Sequence, residues 1–269
     1  MYYTRAFIAF LLLLLAFRAQ AQEKLFIKPH IGAQVPFARY DRSIGKASTF
    51  KPKYFDITDN LGVTLQLKLS EIWGLETGWS KGNIGWGYQI SIPEHLLNDP
   101  YPRPVRKHSL SNYIHRFPLQ ALYTFRDITY FPLNRERNLY LFNFRLHAIA
   151  GTSLDYIDYK STFDSGVMEL GTSVPSSNSI DLAEEVTIRS RWGASVRVGI
   201  GMQYLHNGKE RLELNLYYSR GLRDMVQADV DYSMNSESRT TRMLARGSLI
   251  GLTLAYPIRL KTFGSEQPL

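Results

Sequence analysis

Asn60-Leu61-Gly62-Val63-Thr64-Leu65-Gln66-Leu67-Lys68-Leu69-Ser70 alternates apolar and non-apolar residues without a break. A helix would scatter Leu61, Val63, Leu65, Leu67 and Leu69 around its surface, whereas a strand puts all five on one face. The same alternation recurs along the chain. It sets Leu25, Ile27, Pro29, Ile31, Ala33 and Val35 against Lys28 and Gln34, then Trp73, Leu75, Thr77 and Trp79 against Glu76 and Ser80. Next come Phe117, Leu119, Ala121, Tyr123 and Phe125 against Arg116 and Gln120, and Tyr140, Phe142, Phe144, Leu146, Ala148 and Ala150 against Arg145 and His147. Three more follow: Trp192 to Tyr204 against Gly193, Arg197 and Gly201; Leu212, Leu214, Leu216 and Tyr218 against Glu213 and Asn215; Ile250 to Ile258 against Gly251 and Thr253. The spacing predicts eight strands, an even number.

The connections between these strands alternate long and short. The long ones cover 36–58, 82–113, 153–189 and 222–247, while 59–71 and 72–81 abut and Asn207-Gly208 marks a tight hairpin. Such alternation places every long loop at one end of an up-and-down barrel. The expectation is an all-β, eight-stranded antiparallel transmembrane barrel with four long extracellular loops, short periplasmic turns and both termini periplasmic.

Composition fits a membrane barrel. The 269 residues include no Cys, which excludes disulfides and thiolate-held metals or clusters, and 13% are aromatic, too many for a disordered chain. Net charge is +8, but the excess is diffuse and forms no basic helix or run, so nucleic acid is not an expected partner. Met1 to Arg5 reads as the charged start of a secretory signal, Ala6 to Phe17 as its apolar core and Ala19-Gln20-Ala21 as its cleavage site. The expected division is a signal over 1–21 and a barrel domain over 22–269. Cleavage removes Arg5 and Arg18, leaving 30 basic and 24 acidic residues.

Which strand face meets lipid follows from the other face. Gly193, Gly199, Gly201 and Gly251 would leave a water-facing surface bare, but they suit a narrow lumen. The apolar faces are continuous and end in aromatics: Trp73, Tyr123, Phe125, Tyr140, Tyr204 and Tyr256 towards the short turns, and Trp79, Trp192 and Tyr218 towards the long loops. Two aromatic belts are what membrane interfaces favour.

Three segments carry a resemblance. Arg116-Phe117-Pro118-Leu119-Gln120-Ala121-Leu122-Tyr123-Thr124-Phe125 resembles the fourth strand of Bacteroidota outer-membrane β-barrel proteins. Leu212 to Leu222 is similar to their penultimate strand, and Val198-Gly199-Ile200-Gly201-Met202-Gln203-Tyr204 to the glycine-rich strand before it. The likeness is to the PorT-like, broadly OmpA-like transmembrane class, and spans most of 23–260. It implies an integral outer-membrane protein that supports an envelope assembly such as a secretion or uptake machine. One departure stands out: such barrels commonly end on an aromatic residue, whereas here Lys261 to Leu269 follows the last strand, with Phe263 internal.

Candidate functional residues fall into two groups. The inward-facing charges are Lys28, Lys68, Glu76, Arg116, Arg145, His147, Arg197 and Glu213. A charge in a narrow lumen needs a partner, so these are expected to form a network that plugs the barrel; the alternative is a narrow anion-preferring path, because six of the eight are basic or histidine. The second group is Trp86, Tyr88 and Tyr101 in the loop over 82–113, an aromatic anchor for a protein partner in the envelope. Residues 36–58 are basic and 153–189 acidic, which suits loops that close over the mouth. The six histidines form no i, i+2 or i, i+4 metal pair, and neither HExxH nor G-x-S-x-G occurs. No catalytic residue, cofactor or metal is expected. The function reading is a non-catalytic accessory barrel in outer-membrane lipid, with a small pore or solute-binding channel as the alternative and a surface lipid-modifying enzyme as the third.

Overall fold

The computed structural model describes residues 24–40, 50–53, 57–90, 105–134, 139–158, 162–169, 179–206, 209–234 and 237–262. Among the described residues there is no helix, and thirteen strands form one sheet. In chain order they are β1 (Lys24–Tyr40), β2 (Phe50–Lys53), β3 (Thr58–Lys68), β4 (Trp73–Ile90), β5 (Val105–Asn134), β6 (Leu139–Ile157), β7 (Thr162–Glu169), β8 (Ser179–Ile188), β9 (Trp192–His206), β10 (Lys209–Gly221), β11 (Val226–Met234), β12 (Glu237–Ala255) and β13 (Ile258–Thr262).

Eight of them close a ring. The antiparallel order β1-β3-β4-β5-β6-β9-β10-β12 returns to β1, where Ile31 stands opposite Leu254 and Val35 opposite Ile250. These are the eight stretches that the alternation picks out. Pro257 interrupts the last strand, yet pairing with β1 resumes through β13, with Ile27 opposite Ile258 and Lys24 opposite Thr262. The backbone carbonyl of Pro29 accepts the N–H of Tyr256 at 3.0 Å and keeps the seam joined across the break.

Burial is inverted relative to a water-soluble barrel. Outward-facing Leu65, Leu119, Val198, Ile200, Leu216 and Leu252 are exposed, Ile200 to 60%, while inward-facing Lys28, Glu76, Arg116 and Glu213 are at most 4% exposed. The apolar strip is bounded by aromatics. Trp73 packs on Tyr123 and Phe144 on Tyr204 near the short turns, whereas Trp79, His115, Tyr156 and Trp192 line up towards the other end. From His115 to Phe125 along β5 is ten residues, a height of about 25 Å at a strand tilt near 40°. That matches the apolar thickness a membrane barrel presents.

The long connections differ from expectation. Much of what the sequence suggests as loop is strand. β4 continues to Ile90 and β5 begins at Val105, paired from Gly82–Ile114 up to Ile90–Val105. The stretch 153–189 contains the end of β6 and all of β7 and β8, and 222–247 contains β11 and the first half of β12. β5 likewise continues nine residues past Phe125 to Asn134, paired with β6 as far as Leu139. Past the apolar band the alternation fades in places, as from Glu237 to Arg242, but persists from Trp86 to Ile90 and from Val226 to Met234, while the backbone ladder continues throughout. Asn207-Gly208 lies outside the described residues, although His206 and Lys209 on either side are paired.

β12 organises this far end. Its second half lies between β10 and β1; its first half, from Glu237 to Ala245, pairs with β11 in place of β10, while Met243 to Ala245 stay paired with β1. β11 pairs in turn with β8, which pairs with β7. The change of neighbour occurs at Gly247, whose φ of +78° only glycine adopts without strain.

Candidate functional site

The lumen is filled by layers of side chains. Nearest the short turns, Lys68 pairs with Glu210, and its ammonium lies 5.7 Å from the centre of the Phe26 ring. Above it a relay crosses five strands. His147 on β6 meets the side-chain oxygen of Asn215 at 3.0 Å, and the amide of Asn215 donates to Glu213 at 2.7 Å. Lys28 on β1 donates to Glu213 at 2.8 Å and also pairs with Glu76 on β4, which accepts from Gln120 on β5 at 2.8 Å. Gln203 adds a second donor to Glu213 at 3.3 Å. Because the amide of Asn215 faces Glu213, its oxygen faces His147, so the Nε2 of His147 carries the proton in this contact.

The next layer is aromatic. Tyr217 stands opposite Gly199 on β9 and Gly251 on β12; a side chain on Gly251 would collide with its ring, and one on Gly199 with the Leu216 carbonyl and the Tyr217 Cβ. Gly251 therefore leaves the space in which this ring lies. Asn60 donates to the Tyr217 hydroxyl at 2.9 Å, and the Arg197 guanidinium stacks over the ring at 4.3 Å. Higher still, Arg116 donates to Gln34 at 3.1 Å and stands 4.0 Å from Asp155, which accepts from Ser153 at 2.8 Å.

An apolar cap closes the far end of the lumen. Ile84, Ile114, Ile157, Met225, Val226 and Leu249 are all at most 1% exposed. A side chain added at Gly247 would touch Ile114 and Ile84 from across the barrel, and one added at Gly193 would run into Met225. Over the cap, Asp224 accepts from Arg39 at 2.8 Å and from Arg246 at 2.7 Å, tying β1, the turn after β10 and the bulge of β12 together.

The eight expected charges are therefore not one cluster. Lys28, Glu76, Glu213 and His147 meet; Arg116 and Arg197 occupy the layers above; Lys68 sits below. Arg145 is at the turn-end rim, where Asp127 accepts from it at 3.0 Å and Glu71 lies 3.7 Å away. Sequence reasoning missed Asp155 and Glu210. Asp155 fell in a stretch taken for loop, and Glu210 precedes the alternation of its strand. Counting Asp155, the deep lumen holds three cations (Lys28, Arg116, Arg197) and three carboxylates (Glu76, Glu213, Asp155). The basic excess that suggested an anion path disappears. A cavity of about 30 Å³ for water centres remains beside Lys28, Asn60, Arg197 and Tyr217, enough for roughly two waters. Trp86 and Tyr88, expected in a loop, are on β4, opposite Leu110 and His108; Tyr101 lies outside the described residues.

No family model matches this chain, and no curated protein does. Solved structures with some likeness are outer-membrane barrels. OprG from Pseudomonas aeruginosa is 14% identical, with 88% of this chain and 97% of that one covered and a TM-score of 0.41. The N-terminal β-barrel domain of Pseudomonas aeruginosa OprF is 12% identical over 89% of this chain and 100% of that one, at 0.31. The outer membrane protease OmpT from Escherichia coli is 10% identical over 88% and 96%, at 0.23. None of these overlaps is close enough to carry a function across.

Proposed function

We propose that this chain is an integral outer-membrane barrel that acts as a non-catalytic accessory subunit of an envelope assembly, with its long hairpins facing outward. The observation that carries the reading is the occluded lumen: a charge-balanced polar packing lies below an apolar cap, so the interior is built to hold shape. What the molecule offers to others is then its surface, above all the far-end sheet of β7, β8, β11 and β12. The similarity of three strands to PorT-like barrels supports the same reading.

Gentle detergent extraction of the native outer membrane, affinity capture and sizing test it. Stoichiometric co-eluting proteins are expected. Elution as a monomer in its micelle would sink the accessory role. A narrow pore is the second reading, favoured by Arg197, whose Nε and one terminal nitrogen lack hydrogen-bond partners among the described residues beside the residual cavity. Conductance across planar bilayers separates the two.

A further inference from the structure

A row of outward-facing side chains crosses four neighbouring barrel strands at the far-end edge of the apolar band. Lys81 on β4 stands opposite His115 on β5, His115 opposite Tyr156 on β6, and Tyr156 opposite Trp192 on β9. The rings touch in sequence: Trp79 stacks on His115 at 5.9 Å, His115 lies 6.4 Å from Tyr156, and Tyr156 lies 4.7 Å from Trp192. Directly towards the opposite end, exposed Phe117, Leu119, Leu154 and Val196 begin the lipid-facing surface. The row is therefore at the level where lipid headgroups lie.

Its chemistry is specific. The Trp79 indole N–H donates to Nδ1 of His115 at 3.2 Å. Indole nitrogen has no acceptor capacity, so Nδ1 must be unprotonated and the ring proton sits on Nε2, leaving a neutral donor. Beside it the Lys81 ammonium is held over the Tyr113 ring at 3.9 Å from its centre. Arg189 and Arg191 are exposed on the turn leading into Trp192; Asp158 is exposed two residues past Tyr156, whereas Asp155, one residue before it, is buried in the lumen. The Lys81 ammonium, a fixed N–H donor and aromatic rings at headgroup depth complement an anionic headgroup.

We infer that Lys81 and His115 form the centre of a binding site for the phosphate of an anionic lipid in the leaflet that meets this end of the barrel. The inference rests on the barrel's lying in a membrane, and not on its accessory role.

The test uses the full chain in vesicles of phosphatidylcholine, with brominated phosphatidic acid or brominated phosphatidylcholine added in turn. Quenching of tryptophan emission, to which Trp79 and Trp192 contribute, reports which lipid occupies the row. Wild type should favour phosphatidic acid about fivefold, the size expected for one cation near an anionic surface. The preference should fall to near unity in Lys81→Ala/His115→Phe, survive in Lys81→Arg, and rise in Asp158→Asn. Equal quenching by both lipids in wild type, or a preference unchanged in the double variant, overturns the site. Folding of each variant is checked by its heat-dependent mobility on gels. A chain that enters no vesicle at all refutes the membrane reading, a different failure from a folded barrel that shows no lipid preference.

Discussion

Lys28 is the side chain on which the lumen depends most. Its ammonium is 1% exposed and lies between two carboxylates on different strands, Glu76 and Glu213. Removing it leaves two adjacent buried anions, and breaking a buried pair from one side costs about 3–5 kcal/mol. Lys28→Met should therefore lower stability by that order, read from urea unfolding in phospholipid vesicles. Adding Glu213→Gln to it should recover part of the loss; if the two changes simply add, the residues are not coupled. Asp224 makes a second, milder case outside the membrane. Partial burial works against its charge, but hydrogen bonds and attraction from Arg39 and Arg246 outweigh this and hold its carboxyl below the usual carboxylate range. A depressed folded pKa adds stability above the unfolded value, about pH 4, and that stability is lost as pH falls through the lower folded value. The urea midpoint of wild type should exceed that of Asp224→Asn at pH 6, and the gap should narrow below pH 4. A gap that stays constant to pH 2 would refute the assignment.

At the scale of elements, β12 has β10 and then β11 along one edge because Gly247 lets it change partners. A side chain there would meet Ile114 at 3.4 Å, an ordinary contact, so the penalty of Gly247→Ala is that of the positive φ alone, about 1–2 kcal/mol. Gly247→Asn should cost less, since Asn tolerates this conformation better; equal losses in vesicle unfolding would mean that space, not φ, decides. The eight barrel strands were legible because the membrane imposes a simple rule: every second residue from Leu61 to Leu69 or from Leu212 to Tyr218 must be apolar. The alternation does not stop at the membrane: Trp86, Tyr88 and Ile90, and Val226, Ala228, Val230, Tyr232 and Met234, continue it in paired strands that sequence reasoning assigns to loops. It fails from Glu237 to Arg242, where only the ladder with β11 continues the strand. The inward charges on alternating strands, such as Lys28 and Glu213, could be read from parity, but their partners could not. Asp155 stands beside Arg116 because β6 continues past Thr152 through Leu154 and Tyr156, on the same outward face as Ala148 and Ala150.

For the whole molecule, the polar layers and the apolar cap lie in series along one axis. Either alone blocks the path. Removing the acidic partners of the lumen network alone leaves the cap in place. Wild type should show no current steps in planar bilayers, and neither Glu76→Gln/Glu213→Gln nor Ile84→Ala/Ile114→Ala/Met225→Ala alone should open it. Only the combined variant should conduct. Steps from either set alone would mean that the barrel has one gate.

The two ends of the described chain meet in one ladder, Lys24 beside Thr262 at the short-turn rim. A closed ring of staves has no first member, and its circle is indifferent to where the thread was cut. A linker across this join, with new termini opened in the connection between β5 and β6 at the same rim, would give a permuted polypeptide with all eight contacts of the ring intact. What such a chain could not spare is any single stave, because an open seven-stranded sheet has two raw edges and nowhere to hide them.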